Sequence, residues 1–150
     1  MSWDLGEATE AEVDEIMRTP SAITASEVEN AGVTFAHALR TLKGFMRQGS
    51  ADVLFLAGSP AALLGHMPHP FTPERRMFWF IASQAFFDLG LKGVRYTKGY
   101  LDRLRKEQPG VAFESFTYST HPATGRWFQV IGFEEGVSPL PAVRRFILGG

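Results

Sequence analysis

The sequence contains no cysteine, which excludes disulfides and thiolate chemistry and leaves nothing that requires an oxidising compartment. It also lacks any apolar run near the roughly 20 residues of a membrane-spanning helix, so no membrane role is expected. An excess of charge of one sign is missing too. Fifteen Lys and Arg stand against sixteen Asp and Glu, a formal charge of -1, where nucleic-acid binders carry a basic surplus. The opening MSWDLGEATEAEVDE has no basic-then-apolar order, so a secretory signal is not expected. Repeats, linkers and low-complexity tracts are absent. All 150 residues are therefore expected to form a single domain, long enough to bury a core without staples.

Aromatics are plentiful instead. There are 13 Phe, five of them in the aromatic groups FWF (Phe78–Phe80), FF (Phe86-Phe87) and WF (Trp127-Phe128). Trp127 and Phe128 are adjacent on a predicted helix, so they point about 100° apart and do not face one core contact. The surplus suits a protein–protein interface or a ligand cleft.

Along the chain, Trp3 to Leu5 reads as a short strand. Thr9 to Glu12 is a capping box opening a helix with Val13, Ile16 and Met17 on one face, ended before Pro20. Thr24 to Glu27 reads as a second capping box, with its helix stopped by Gly32. Thr34 to Gln48 carries Phe35, Leu39, Leu42 and Met46 at helical spacing, and Gly49 ends it. ADVLFLAG (Ala51–Gly58) and AALLGHM (Ala61–Met67) form a hairpin turning at Ser59-Pro60. Pro68, Pro70 and Pro73 hold an extended loop. RRMFWFIAS (Arg75–Ser83) is apolar on both faces, the pattern of a central strand. A helix follows from about Val94 to Glu107, then a strand from Val111 to Ser119, then a helix within HPATGRWFQVIGFEE (His121–Glu135). His121 and Pro122 belong to its first turn. Strands beginning at Phe133 and spanning Ala142–Gly149 complete the chain. The order implies an α/β (α+β) fold, one mixed sheet with helices on both faces.

That order, with Gly132-Phe133 closing the last helix, resembles the GNAT N-acetyltransferases. Their corresponding helix runs Asn-x-x-Ala-x-x-x-Tyr-x-x-x-Gly-Phe. Here His121 stands for Asn, Thr124 for the small residue and Phe128 for Tyr. The resemblance implies a mostly antiparallel, twisted sheet of roughly six or seven strands. MFWFIASQAFFDLG, the basic helix and THPATGRWFQVIGFEE are also similar to a narrower GNAT-like family, the internal virion or virion-assembly proteins of T7-type podophages. Arg126-Trp127 and Ile131-Gly132 carry that likeness.

The wider family binds acetyl-CoA on a glycine-rich loop opening a helix. The counterpart here, Gln84 to Gly93, does not contain the full motif. Ser83, Gly90, Lys92, Gly93 and Arg95 are what it offers if acetyl-CoA binds; otherwise no cofactor is expected. Proton transfer in the family uses a Glu and the Tyr that Phe128 replaces, so Glu114, Tyr118 and His121 are the catalytic candidates. HMPH (His66–His69) has too few ligands for a metal site. The basic residues between Lys92 and Lys106 are a solvated helix face.

Two functions follow as expectations. One is a phage structural or assembly protein with lost or weakened catalysis, partnered by virion proteins or itself, in the virion or host cytoplasm. The alternative is an acetyl-CoA-dependent N-acetyltransferase acting on a protein or small-molecule amine.

Overall fold

A computed structural model describes residues 3–149. One seven-stranded sheet runs β1-β2-β3-β4-β5-β7-β6. Its strands are β1 (Trp3–Glu7), β2 (Ser50–Leu56), β3 (Ser59–Pro68), β4 (Arg75–Ala82), β5 (Ala112–Thr117), β6 (Glu134–Gly136) and β7 (Arg144–Leu148). Every pairing is antiparallel except β4 with β5. The helices are α1 (Glu10–Arg18), α2 (Ala22–Asn30), α3 (Phe35–Gln48), α4 (Gln84–Phe87), α5 (Leu91–Glu107) and α6 (Thr124–Val130).

Two apolar cores lie on opposite faces of the sheet, as the both-sides-apolar β4 requires. On one, Val13, Ile16 and Met17 of α1 pack with Val53, Leu63, Trp79 and Ile81, with Leu39, Leu42, Phe45 and Met46 of α3 alongside. On the other, α5 and α6 bring Leu101, Leu104, Trp127 and Phe128 against Leu54, Leu64, Phe78 and Phe113. Phe35, expected on the apolar stripe of α3, is exposed instead, because it sits in the first turn, outside that core.

Several boundaries depart from expectation for local reasons. The hairpin turns at Ala57-Gly58, both at positive φ, rather than at Ser59-Pro60. Two left-handed residues match the twist of a two-residue turn, and Ser59 pairs with Leu56 as the first rung. α2 is capped by Ser21, whose hydroxyl accepts from the Thr24 backbone N–H at 3.2 Å, not by Thr24. Thr24 is buried inside that helix. α6 starts at Thr124, leaving His121 and Pro122 in the turn before it. There the His121 Nδ1 accepts from the Ala123 N–H at 3.1 Å.

Of the clustered aromatics, Phe78, Trp79, Phe86, Trp127 and Phe128 are buried, and Phe80 and Phe87 are half-buried. Phe80, Phe86, Phe87 and Trp127 pack with centroids 5.1–6.0 Å apart. Phe128 instead stacks on Phe146 at 4.2 Å and 9°. Trp127 and Phe128 thus fill one core while touching different partners, as their divergence on the helix demands.

Candidate active site

The β4–β5 pair carries the chain's distinctive geometry. Its ladder holds for only three residue pairs, Arg75–Ala112, Arg76–Phe113 and Met77–Glu114, and then the strands separate. The Ser83 N–H pairs with Ala61 on β3 at 2.9 Å. Backbone direction alternates along a strand, so Phe80 and Ala82 turn their peptide groups toward the opening. A wedge with one backbone-lined wall results. Phe80 and Trp127 pack at its side, and the Trp127 indole N–H is buried without a hydrogen-bond partner among the described residues.

α2 lies across this opening and touches both arms. On the β4 side, the Ser21 N–H donates to the Ala82 carbonyl at 2.8 Å, and Thr24 Oγ1 accepts from the Ala82 N–H at 3.3 Å. On the β5 side, one Glu27 carboxylate oxygen accepts from the Thr117 hydroxyl and from the N–H groups of Tyr118 (2.5 Å) and Ser119 (2.9 Å). Burial raises the Glu27 pKa, and these three donors only partly offset it. A carboxyl with raised proton affinity is therefore held on the β5 arm. The sequence reading missed Glu27 because it fits a capping-box pattern, whose partner lies three residues away rather than ninety.

The predicted residues fall in three separate places. Glu114 is 1% exposed at the closed end of the wedge, bound by Arg75, by Arg145 at 2.6 Å and by His69 Nε2 at 3.3 Å. His69 Nδ1 in turn accepts from the N–H groups of Phe71 and Thr72, so the imidazole staples the β3–β4 loop to β5. Tyr118 lies just past β5, four residues on and about 13 Å along the strand from Glu114. Its backbone, through Glu27, joins the opening. His121 lies in the turn before α6, where its Nδ1 accepts from the Ala123 N–H. Phe128 stacks in the core, so no hydroxyl stands where the resembled helix has one.

Burial raises the Glu114 pKa, but the hydrogen bond and charge of Arg145, with Arg75 and His69, outweigh it and leave a net lowering below the usual 4.5. A group so shifted stabilises the fold above its unfolded-state pKa, and that stability is lost as pH falls through the folded value. Glu114→Gln should therefore cost about 2 kcal/mol near neutrality. The gap in melting temperature from wild type should close as pH falls below the usual value of 4.5, which a thermal-melt series across acid pH measures.

The turn from β4 to α5 differs from an open phosphate loop. The N–H groups of Phe86, Asp88, Leu89, Gly90, Lys92 and Gly93 all donate to carbonyls within the turn, four of whose residues form α4. A methyl group on Gly93 would lie 3.2 Å from Phe86, so this glycine lets α5 pack on α4. Ser83 is buried, its hydroxyl donating to the Ala61 carbonyl. Lys92 and Arg95 are exposed near the α5 N-terminus.

The same architecture recurs across solved acetyltransferases. An acetyltransferase from Thermus thermophilus matches at a TM-score of 0.69 and 19% identity, over 100% of this chain and 98% of that one. The chain has the GNAT fold. PaiA N-acetyltransferase from Thermoplasma acidophilum, solved with coenzyme A, matches at 0.71 with 5% identity and full coverage of both chains. Aminoglycoside acetyltransferase AAC(6')-Ib, also with coenzyme A, matches at 0.66 and 18% identity over 99% of this chain and 95% of that one. No protein-family model matches the sequence, and no curated protein does.

Set against a coenzyme A thioester, the GNAT fold here offers a partial fit. The wedge and its backbone wall suit an extended amide-bearing arm. Six N–H groups of the turn are taken by its own carbonyls, so Lys92, Arg95 and the α5 N-terminal field are what would meet the phosphates.

Proposed function

We propose that this chain is an acetyl-CoA-dependent N-acetyltransferase acting on a primary amine. The observation that carries the proposal is the wedge: β4 and β5 part after three residue pairs, and a carboxyl of raised proton affinity sits on the β5 arm. The fold supports it, since full-length matches include acetyltransferases solved with coenzyme A. Acetyl-CoA would be held along the β4 edge at Phe80, with its phosphates toward Lys92 and Arg95. It supplies an acyl group activated as a thioester.

The chain's own residues have distinct parts in this scheme. As the amine nitrogen bonds the acetyl carbon and the carbon–sulfur bond breaks, Glu27 takes the proton the nitrogen loses and coenzyme A leaves as a thiolate that draws its proton from solvent. The raised proton affinity of Glu27 favours the first of these transfers. The N–H groups of Tyr118 and Ser119 and the Thr117 hydroxyl fix the carboxyl oxygen's position. Phe80, Phe86, Phe87 and Trp127 keep one side of the wedge dry, which strengthens electrostatic interactions there. Phe128 takes no part in proton transfer, and Glu114 is committed to its arginines.

No observation favours the virion-component reading over this one. Calorimetry and a thiol-release assay test the proposal directly. Acetyl-CoA should bind with micromolar Kd, and amine-dependent release of free coenzyme A should follow. The absence of binding at millimolar acetyl-CoA would sink the proposal.

A further inference from the structure

α2 is held differently from the other long helices. α1 and α5 dock through buried apolar residues and α3 through the stripe Leu39, Leu42, Phe45 and Met46, whereas α2 buries Thr24 and packs only Ile23 and Val28, both half-buried. Ile23 packs against one core and Val28 against the other, and the remaining attachments are hydrogen bonds that go to the two separated arms. At its start are Ser21 and Thr24 on Ala82, reinforced by the Ser21 hydroxyl donating to Thr24 Oγ1 at 3.1 Å and by the Pro20–Ser83 bridge. Along its later half, Glu27 holds Thr117 to Ser119, Ser26 Oγ accepts from the Thr120 N–H at 3.0 Å, and Asn30 Nδ2 donates to Thr120 Oγ1 at 3.1 Å.

The two ends are not equivalent. The β5-side end has five contacts spread over Ser26, Glu27 and Asn30. The β4-side end rests on the two bonds to the Ala82 peptide groups, the Pro20–Ser83 bridge and the half-buried Ile23. Ala82 is one of the two residues whose N–H and C=O face the opening, and an extended chain adding to β4 would require those groups.

We propose that α2 is a lid over the wedge, pivoting on its Ser26–Asn30 end, and that its Ser21–Thr24 end competes with an extended amide-bearing ligand for Ala82. This rests on the acetyltransferase reading for the identity of that ligand, the arm of acetyl-CoA. Entry of the arm lifts Ser21 and Thr24 while Glu27 stays on the β5 arm, so the carboxyl remains in place when the wedge is occupied. Ile23 is the apolar side chain of the lifted end that leaves its core in such a motion, and it is only half-buried. Hydrogen bonds to the Ala82 peptide groups release that end at the modest net strength of such bonds.

Thr24→Val tests the competition, because valine keeps the shape and removes the oxygen that accepts from Ala82. Without ligand, NMR-detected amide exchange at Ser21 and Ala82 should accelerate about fivefold, the equilibrium worth of one hydrogen bond, with the β2–β3 ladder unchanged. Acetyl-CoA should bind the variant about fivefold more tightly than wild type by the same argument. Thr34→Val, which removes the α3 cap on His37, should leave the affinity unchanged. Equal acetyl-CoA affinity in wild type and Thr24→Val would overturn the lid while the acetyltransferase reading stands. Faster exchange at Ser21 with no acetyl-CoA binding by either protein would overturn that reading, and the competition with it. Unaltered exchange at both amides would overturn the lid whatever the affinity.

Discussion

Glu27→Gln is expected to lower the rate of amine acetylation by about 100-fold or more while the protein stays folded. The substitution suits the site closely. All three donors converge on one oxygen of Glu27, and glutamine can present its carbonyl oxygen to the same three. What disappears is the capacity to take a proton, so kcat should fall with little change in acetyl-CoA affinity. Stability should move the other way. Burial raises the Glu27 pKa, so its protonated form favours the fold, and that contribution is lost as pH rises through the folded-state pKa. Glu27→Gln should therefore gain in melting temperature relative to wild type as pH rises above the usual 4.5. Steady-state kinetics and thermal melts across pH check both halves. An unchanged kcat would remove Glu27 from proton transfer.

Gly65→Ala should destabilise the protein by about 3 kcal/mol, the upper part of the range for overpacking a filled core. Gly65 and Trp79 pair across β3 and β4, and the indole lies over the bare Cα. A methyl group there would overlap the Trp79 indole, under 3.0 Å from its nearest ring atoms. Trp79 is also confined by Phe45 at 6.1 Å and by the α1 core residues, so it has no empty space to enter. Trp79→Phe alone should cost about 1–2 kcal/mol, through lost contact and an incompletely collapsed space. The double variant should then be less destabilised than the sum of the singles by at least about 1 kcal/mol, since the smaller ring makes room for the methyl. Urea titrations of the four proteins measure the coupling. Strict additivity would mean the clash is relieved by movement elsewhere.

These two sites differ in what the sequence discloses about them. Gly65 stands within an apolar strand, and a glycine in such a place already signals close approach, though not by which partner. Trp79 was legible as core because β4 is apolar on both faces. The same reasoning placed β2, β3 and the inward faces of α1 and, Phe35 apart, α3 within a few residues. Phe128 could be read as a missing hydroxyl, and its stack on Phe146 bears out that the position is packing.

Glu27 and Thr24 mark where local reading fails. S/T-x-x-E describes a capping box as well as it describes two side chains that turn away to other strands. Thr24 bonds Ala82 and Glu27 bonds Thr117 to Ser119, partners 58 and 90 or more residues distant. Glu114 was singled out for proton transfer because it is an acid on the right strand, but its chemistry depends on Arg75, Arg145 and His69, which three other segments bring to it.

By itself the sequence determined the elements and the faces they bury, because hydrophobic period and turn residues act over a few positions. Only the tertiary structure decided where β4 and β5 part, which helix bridges them and which carboxyl is left with raised proton affinity. Those outcomes depend on which backbone edges remain unpaired after the strands assemble, and on how deeply each polar side chain is then buried.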